Sequence, residues 1–441
     1  MWGFQCMKTR PILGLPVLAI VLACPRVCNG QAPATRVQQL MKGYSDDGWF
    51  MGSVLVAQNG KVIFSKGYGW ADAEWNIPNS PTTRFAIASI TKEFTAASIF
   101  LLEERGKLKT NDLVKKYLPD APASWDKITI YNLLTHTSGI AEDAAKYESG
   151  TPDTLTFIDK PLEFEPGEKW VYRNLGFNVL GYLVDKISGQ TYEDFLEENI
   201  FKLLGMNDSG MDSNFTVIPR RASGYSPGEN GIDNAERIYH SAFAAGGIYS
   251  TTEDMLRWEE GLFGGKLLSP ASLRKMTTPF KSDYACGLRV KSVNGHLMTE
   301  HSGGAIGFNA DVAYYPEEKL AVIVLGNLNT AAILKMTTAL ADVMHGDPIS
   351  VSIPKAIALP REILARYVGT YTFSDGDFVV TLHGDHLIAD YGSKYRLFPE
   401  SETKFFIKWW DMDFEFSKNE KGEFTTVTQH FDGKADKGQK K

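Results

Sequence analysis

Apolar and polar positions follow three successive patterns along the 441 residues. The first regime is one unbroken apolar run, Pro11-Ile-Leu-Gly-Leu-Pro-Val-Leu-Ala-Ile-Val-Leu-Ala23, behind the basic stretch Met7-Lys-Thr-Arg10. It has the size of a signal h-region and falls short of the roughly 20 residues of a membrane span. Residues 1–30 are therefore predicted to be a signal peptide cleaved before Gln31, and the protein to be exported, periplasmic or extracellular.

The second regime covers residues 31–347. Two β-rich runs between Gly52 and Phe64 flank Asn59-Gly60, a hairpin signal. Helical spacing then takes over. Ile90, Phe94, Ala97 and Leu101 lead to Gly106 in one predicted amphipathic helix, and Leu175, Val179, Leu180, Leu183, Val184 and Ile187 lead to Gly189 in another. Strand patterns return in Asp311-Val-Ala-Tyr-Tyr315 and Leu320-Ala-Val-Ile-Val-Leu325, and a last helix is predicted over residues 331–345. This order predicts an α/β fold: an antiparallel sheet with flanking helices and an all-helical subdomain.

The third regime follows a linker at residues 348–360. Short alternating runs between Gly/Asp turns, such as Phe378-Val-Val-Thr-Leu382 and Phe405-Phe-Ile-Lys-Trp-Trp410, predict a small antiparallel β-barrel-like domain over residues 361–441. Residues 434–441 read as a frayed polar tail. His383 and His386 flank Gly384-Asp385, which reads as a hairpin tip and not as a metal pair.

Charge and cysteine content narrow the function classes. The formal charge is −7, and loss of Lys8, Arg10 and Arg26 with the signal peptide takes it to −10, which argues against a nucleic-acid partner. Three of the four cysteines leave with residues 1–30, so Cys286 has no partner and no disulfide framework is expected. Val21-Leu-Ala-Cys24 loosely resembles a lipoprotein box, which leaves a lipid anchor at Cys24 as an alternative to cleavage. The chain has no Walker loop, Gly-x-Gly-x-x-Gly or His-Glu-x-x-His string, so no cofactor and no metal is expected. Gly224-Tyr-Ser-Pro-Gly228 matches Gly-x-Ser-x-Gly, but Pro227 and its polar surroundings make it a loop and not a nucleophile elbow.

Three strings carry chemistry: Ser89-Ile-Thr-Lys92, Tyr172-Arg-Asn174 and His301-Ser302-Gly303-Gly304. Ser-x-x-Lys alone occurs five times, beginning at Ser89, Ser124, Ser272, Ser352 and Ser401, and context selects the first because it opens a helix. A serine hydroxyl needs a base to take its proton, and a lysine serves only when burial or neighbouring charge lowers its pKa from about 10.4 toward neutrality. The free N–H groups at a helix entrance form half of an oxyanion hole. Tyr172 becomes a second base if Lys92 lies close enough to lower its phenol pKa. Asn174 is placed to hold a substrate carbonyl and Lys92 at once. His301 to Gly304 read as a sheet edge whose glycines admit a substrate backbone, with one N–H near Gly304 completing the oxyanion hole.

These strings, with Leu133-Leu-Thr-His-Thr-Ser-Gly-Ile140, Leu203-Leu-Gly-Met206, Ala245-Gly-Gly-Ile-Tyr-Ser250 and Gly307-Phe308, resemble serine β-lactamases of the class C type, the related penicillin-recognising peptidases, and the esterases and D-amino-acid peptidases of the same fold. The resemblance runs over roughly residues 35 to 345, and the C-terminal part looks like the β-rich appendage of many relatives. It implies that Ser89 is acylated, that Lys92 and Tyr172 handle its protons, that Asn174 binds substrate or the lysine, and that His301, Ser302, Gly303 and Gly304 form the substrate-binding strand. The implied activity is cleavage of a small ester, amide or peptide-like substrate. The alternatives are a β-lactamase or D-Ala-D-Ala carboxypeptidase, and an envelope sensor that acylates without turnover. Many β-lactamases carry lysine at the position of His301. An ordinary histidine with a pKa near 6.5 is mostly neutral at pH 7 and gains charge toward pH 6, so esters are expected to be preferred to anionic β-lactams, less so as the pH falls.

Overall fold

The computed structural model describes residues 32–147, 155–213, 215–229, 231–236, 242–374 and 376–441. The expected signal peptide and the alternative lipid anchor at Cys24 lie outside these residues. Among them, no helix is long and apolar enough to cross a membrane.

A first helix, α1 (Pro33–Asp46), leads into the hairpin β1 (Gly52–Gln58) and β2 (Lys61–Tyr68). Asn59 and Gly60 both take positive φ, 52° and 73°, as a two-residue turn matched to strand twist requires. The chain then leaves the sheet for a mostly helical region containing α2 (Thr91–Glu104) and α3 (Asn174–Ser188). It returns through β3 (Arg289–Val293), β4 (His296–Ala305), β5 (Phe308–Tyr315), β6 (Leu320–Gly326) and α4 (Ile333–His345). The strands form one antiparallel sheet in the order β3-β4-β5-β6-β1-β2.

Alternation along these strands feeds two cores. Leu55, Ala57, Ile323 and Leu325 face the helical region, while Val54, Val56, Val322 and Val324 face α1 and α4. The helix predicted as amphipathic is not: every residue of α2 from Thr91 to Leu102 is buried, Lys92 and Glu93 included. Its polar positions face other protein segments instead of water, because α2 runs through the middle of its layer.

Beyond an extended stretch at residues 348–360, eight strands close a barrel: β7 (Gly369–Thr372), β8 (Asp377–His383), β9 (His386–Asp390), β10 (Lys394–Pro399), β11 (Lys404–Ile407), β12 (Met412–Lys418), β13 (Phe424–Phe431) and β14 (Lys434–Lys440). The expected frayed tail is in fact β14. It pairs with β13 along its length and with β7, so the residues without apolar alternation are the ones that close the barrel and remove its open edge. His383 and His386 pair across the β8–β9 hairpin, as their position beside Gly384-Asp385 implied.

The barrel is packed onto the sheet domain. Trp49 stacks on Phe406 of β11 at 5.4 Å, and Phe406 is buried in the same core as Val54 and Met336. Lys408 donates to the Asp47 carbonyl, and Ala331 N–H donates to the Lys408 carbonyl at 3.0 Å.

Candidate active site

The nucleophile candidate stands at a conformational discontinuity. Ala88 takes φ +46°, a costly conformation for a residue with a side chain, and a short 3₁₀ turn at Ala88–Ile90 then runs into α2. This presents Ser89 half-buried at the helix mouth, with Lys92 one turn along the same face. The other four Ser-x-x-Lys strings show no comparable setting. In one of them, the Lys275 ammonium is committed to the Glu103 carboxylate at 3.0 Å.

Lys92 is fully buried, and its Nζ has three neighbours: Asn174 Oδ1 at 2.9 Å, the Ala245 carbonyl at 2.6 Å and Ser89 Oγ at 3.1 Å. An uncharged amine has two N–H donors and one lone pair. The amide and carbonyl oxygens can only accept, so they take the two donors and leave the lone pair for the Ser89 proton. Burial lowers the Lys92 pKa to about 7 against the opposing pull of Glu142. The environment thus permits the protonation state that the contacts suit.

Tyr172 does not behave as a second base. Its ring lies beneath Lys92, with Nζ 4.8 Å from the ring centroid, and its hydroxyl shares a hydrogen bond with Ser89. Burial pushes the phenol up to about 12, with the Ser89 hydrogen bond acting only partly against it. The expectation that Lys92 lowers the Tyr172 pKa is corrected: burial of the phenol outweighs what acts against it. Tyr172 keeps its proton and is a donor.

His301 also departs from expectation. It lies on the same face of β4 as Gly303, toward the nucleophile, yet it is buried, and both ring nitrogens are engaged within the protein. A directed chain fixes the proton positions. The backbone N–H of Arg173 donates to His136 Nδ1 at 3.2 Å, so the His136 proton sits on Nε2 and is given to the Tyr284 hydroxyl, also at 3.2 Å. Tyr284 then donates to His301 Nε2 at 3.1 Å, and His301 Nδ1–H donates to the Ser302 carbonyl at 2.6 Å. A backbone N–H at one end and a carbonyl at the other allow only this direction. Burial first, and then Lys92, push His301 down to about 3, while His136 is also held well below the usual histidine range by burial and Lys92. The expected charging of His301 near pH 6 is therefore corrected, because the ring is desolvated and already has its donor and its acceptor.

The remaining site residues divide by strand alternation. Gly303 is pressed against the nucleophile turn, where an added Cβ would lie 2.1 Å from the Ile87 carbonyl. Ser302 points its side chain to the opposite, exposed face and gives its carbonyl to His301. Gly304 lines a cleft of about 450 Å³ together with Ser89, Asn174, Glu142 and Asp212. β3 pairs with β4 only as far as Glu300, which leaves residues 301–305 without a strand on that side among the described residues.

Several contributors carried no signal in isolation. Glu142 accepts the N–H groups of Asn174 and Leu175 at 2.9 and 3.2 Å and so caps α3. Asn178 accepts Ala245 N–H at 3.1 Å, placing the carbonyl that holds Lys92. Tyr284 belongs to no motif; it is found only because the fold sets it between two histidines that do. Cys286 is buried and free, its thiol pushed up to about 12 by burial, and is inert packing.

This fold and this clustering of serine, buried lysine and tyrosine define a serine hydrolase. The chain belongs to the beta-lactamase family, whose profile matches residues 36–343, and residues 354–440 match a domain of unknown function, DUF3471. It is 29% identical over 429 residues to penicillin-binding protein 4* of Bacillus subtilis (strain 168), covering 87% of this chain and 94% of that one. Among solved structures, the octameric penicillin-binding protein homologue from Pyrococcus abyssi superposes with a TM-score of 0.61 at 24% identity, over 92% of this chain and 99% of the other. D-amino acid amidase from Ochrobactrum anthropi SV3 superposes with a TM-score of 0.60 at 22% identity, over 71% and 98%. These two likenesses show the fold.

Proposed function

We propose that this protein is an exported hydrolase of small esters or amides, acting through a Ser89 acyl-enzyme. The observation that carries it is the buried Lys92 amine, 3.1 Å from Ser89 Oγ with its two N–H groups already committed. Lys92 takes the hydroxyl proton as Ser89 Oγ attacks the substrate carbonyl carbon, and the oxyanion forms between the N–H groups of Ser89 and the Gly304 region. Tyr172 passes its proton to the departing alcohol or amine and is reprotonated from Lys92. Water then attacks the acyl-enzyme with Lys92 again accepting a proton, which releases the acid and restores Ser89.

Two features of the cleft favour a neutral or cationic substrate over an anionic one. His301 is uncharged, and Glu142 lines the wall beside Ser89, where the neighbouring Asp212 is balanced by Arg221 at 2.5 Å. Esters, or amides of the kind named for the D-amino acid amidase neighbour, suit that wall better than the carboxylate of a β-lactam or of a D-Ala-D-Ala terminus. The likeness to a penicillin-binding protein over 87% of the chain supports a second reading: penicillin-type acylation of Ser89, with slow or no turnover.

The test is fluorophosphonate labelling of the wild type and Ser89→Ala, followed by a panel of p-nitrophenyl esters, D-amino-acid amides, nitrocefin and a D-Ala-D-Ala peptide. Labelling at Ser89 with ester or amide turnover supports the first reading. Efficient nitrocefin turnover with negligible esterase activity would replace it with a β-lactamase, and stable acylation by penicillin without turnover would replace it with the sensor.

A further inference from the structure

At the far end of β4 from Ser89, a second group of chemically able side chains comes together. His296 opens β4, Glu318 lies in the turn between β5 and β6, and His345 closes α4. A ligand-capable atom from each of the three lies within 4.8 Å of the other two. Asp347 adds a fourth, its Oδ2 3.4 Å from His296 Nε2. At 3.4 Å per residue, the seven residues from His296 to Gly303 put this cluster about 24 Å from the catalytic end of the strand.

What sets it apart from an ordinary surface ion pair is the number of buried atoms left without a hydrogen-bond partner. Glu318 Oε2 and His345 Nε2 are shut off from solvent without a hydrogen-bond partner, and buried Asp347 Oδ2 has only its 3.4 Å ion pair with His296, whose other ring nitrogen bonds Glu318 at 2.6 Å. Two orphaned ligand atoms beside a long ion pair are a standing cost unless something fills the space between them. The nearby Asp342 does not fill it, since its oxygens hold Asn294 Nδ2, Ser350 N–H and Ser350 Oγ.

We propose that His296, Glu318, His345 and Asp347 form a binding site for a divalent transition ion, Zn²⁺ foremost. Two imidazoles with two carboxylates are a donor set of the borderline softness that suits Zn²⁺ and not Mg²⁺ or Ca²⁺, which take oxygen ligands. The imidazole rings stack at 3.7 Å with planes 5° apart, so binding tilts them until one ion lies in both planes, and it breaks the His296–Glu318 hydrogen bond. Such an ion ties the β3–β4 turn, the β5–β6 turn and the end of α4 together. Its role is a structural staple, separate from the acyl-transfer chemistry.

The experiment uses the full chain, stripped with EDTA and titrated with Zn²⁺ by calorimetry and thermal melting, with Mg²⁺ and Ca²⁺ as controls. The expected result is one Zn²⁺ per chain, a melting point that rises with Zn²⁺ and falls back with EDTA, and a Zn²⁺ X-ray absorption spectrum with two imidazole ligands. His345→Ala and Asp347→Asn each weaken binding by about 10–100-fold or more, while p-nitrophenyl ester turnover stays at the wild-type rate. Circular dichroism establishes that each variant is folded. The proposal is overturned if the wild type takes up no Zn²⁺, if folded His345→Ala binds it equally well, or if the spectrum shows no pair of imidazoles.

Discussion

Lys92 Nζ lies 3.1 Å from Ser89 Oγ, one turn along the same helix, in a setting that lowers its pKa to about 7. The two residues are one unit. The serine depends on a neighbour that can give up its proton near neutrality, and Lys92 can do so because α2 is buried on all sides.

The first prediction concerns pH. A base with a pKa of about 7 is competent only when deprotonated, so kcat/KM for a neutral ester is expected to rise roughly tenfold per pH unit below 7 and to level off above it. Lys92→Arg, which stays protonated, should lose at least about a thousandfold while leaving the fold intact by circular dichroism. A flat profile between pH 5 and 8 would remove Lys92 from the role of base.

His301 yields a prediction of the opposite kind. Because burial holds it near 3, its charge is constant over pH 5.5 to 8, and the ratio of β-lactam to ester kcat/KM is expected to stay flat across that range. A ratio that climbs toward pH 6 with an inflection near 6.5 would show that His301 titrates as an exposed anion-binding histidine after all.

Tyr284→Phe breaks the chain between the two histidines. It leaves His136 Nε2–H and the His301 Nε2 lone pair buried without partners, which costs about 1–3 kcal/mol of stability in a urea melt. Because the chain ties the Arg173 backbone beside Asn174 to the Ser302 carbonyl on β4, kcat/KM should also fall. Unchanged stability and activity in the variant would leave the chain without a role.

Glu93 gives a pH dependence of stability. It is buried next to Lys92 on α2, accepts Trp258 Nε1–H at 2.7 Å, and is pushed up to about 8, chiefly by burial. A carboxyl whose folded pKa lies above its unfolded one contributes stability at low pH, which is lost as the pH rises from the ordinary carboxylate range through 8. Urea midpoints at pH 5, 7 and 9 should therefore decline in the wild type and decline less in Glu93→Gln. Equal slopes would place the effect elsewhere.

The barrel supplies the last prediction. Phe406 fills the core beside Trp49, so Phe406→Ala should cost about 3–5 kcal/mol. A chain ending near Ser350 should still be labelled at Ser89 by a fluorophosphonate but melt at a lower temperature than the full chain. A truncated protein that is folded yet unreactive would mean that the barrel contributes to the active site.

The order of elements, the hairpin at Asn59-Gly60 and the helix ending at Gly189 were legible in the sequence, because periodicity and turn chemistry are local properties. So were the candidates Ser89, Lys92, Tyr172 and Asn174, which the fold brings together around one amine. Strand β14 was not legible, because five polar residues interspersed with Ala435 and Gly438 become a strand only when two neighbours need their edges covered. Nor were the proton states. Tyr172 was read with a phenol pKa lowered by Lys92 and His301 at the ordinary histidine value, whereas burial dominates both, and burial belongs to the packed chain. The same applies to Tyr284, and to the meeting of His296, Glu318 and His345. A sequence specifies which groups are available, but the cost of desolvating them and the partners that offset it are decided only where distant segments meet.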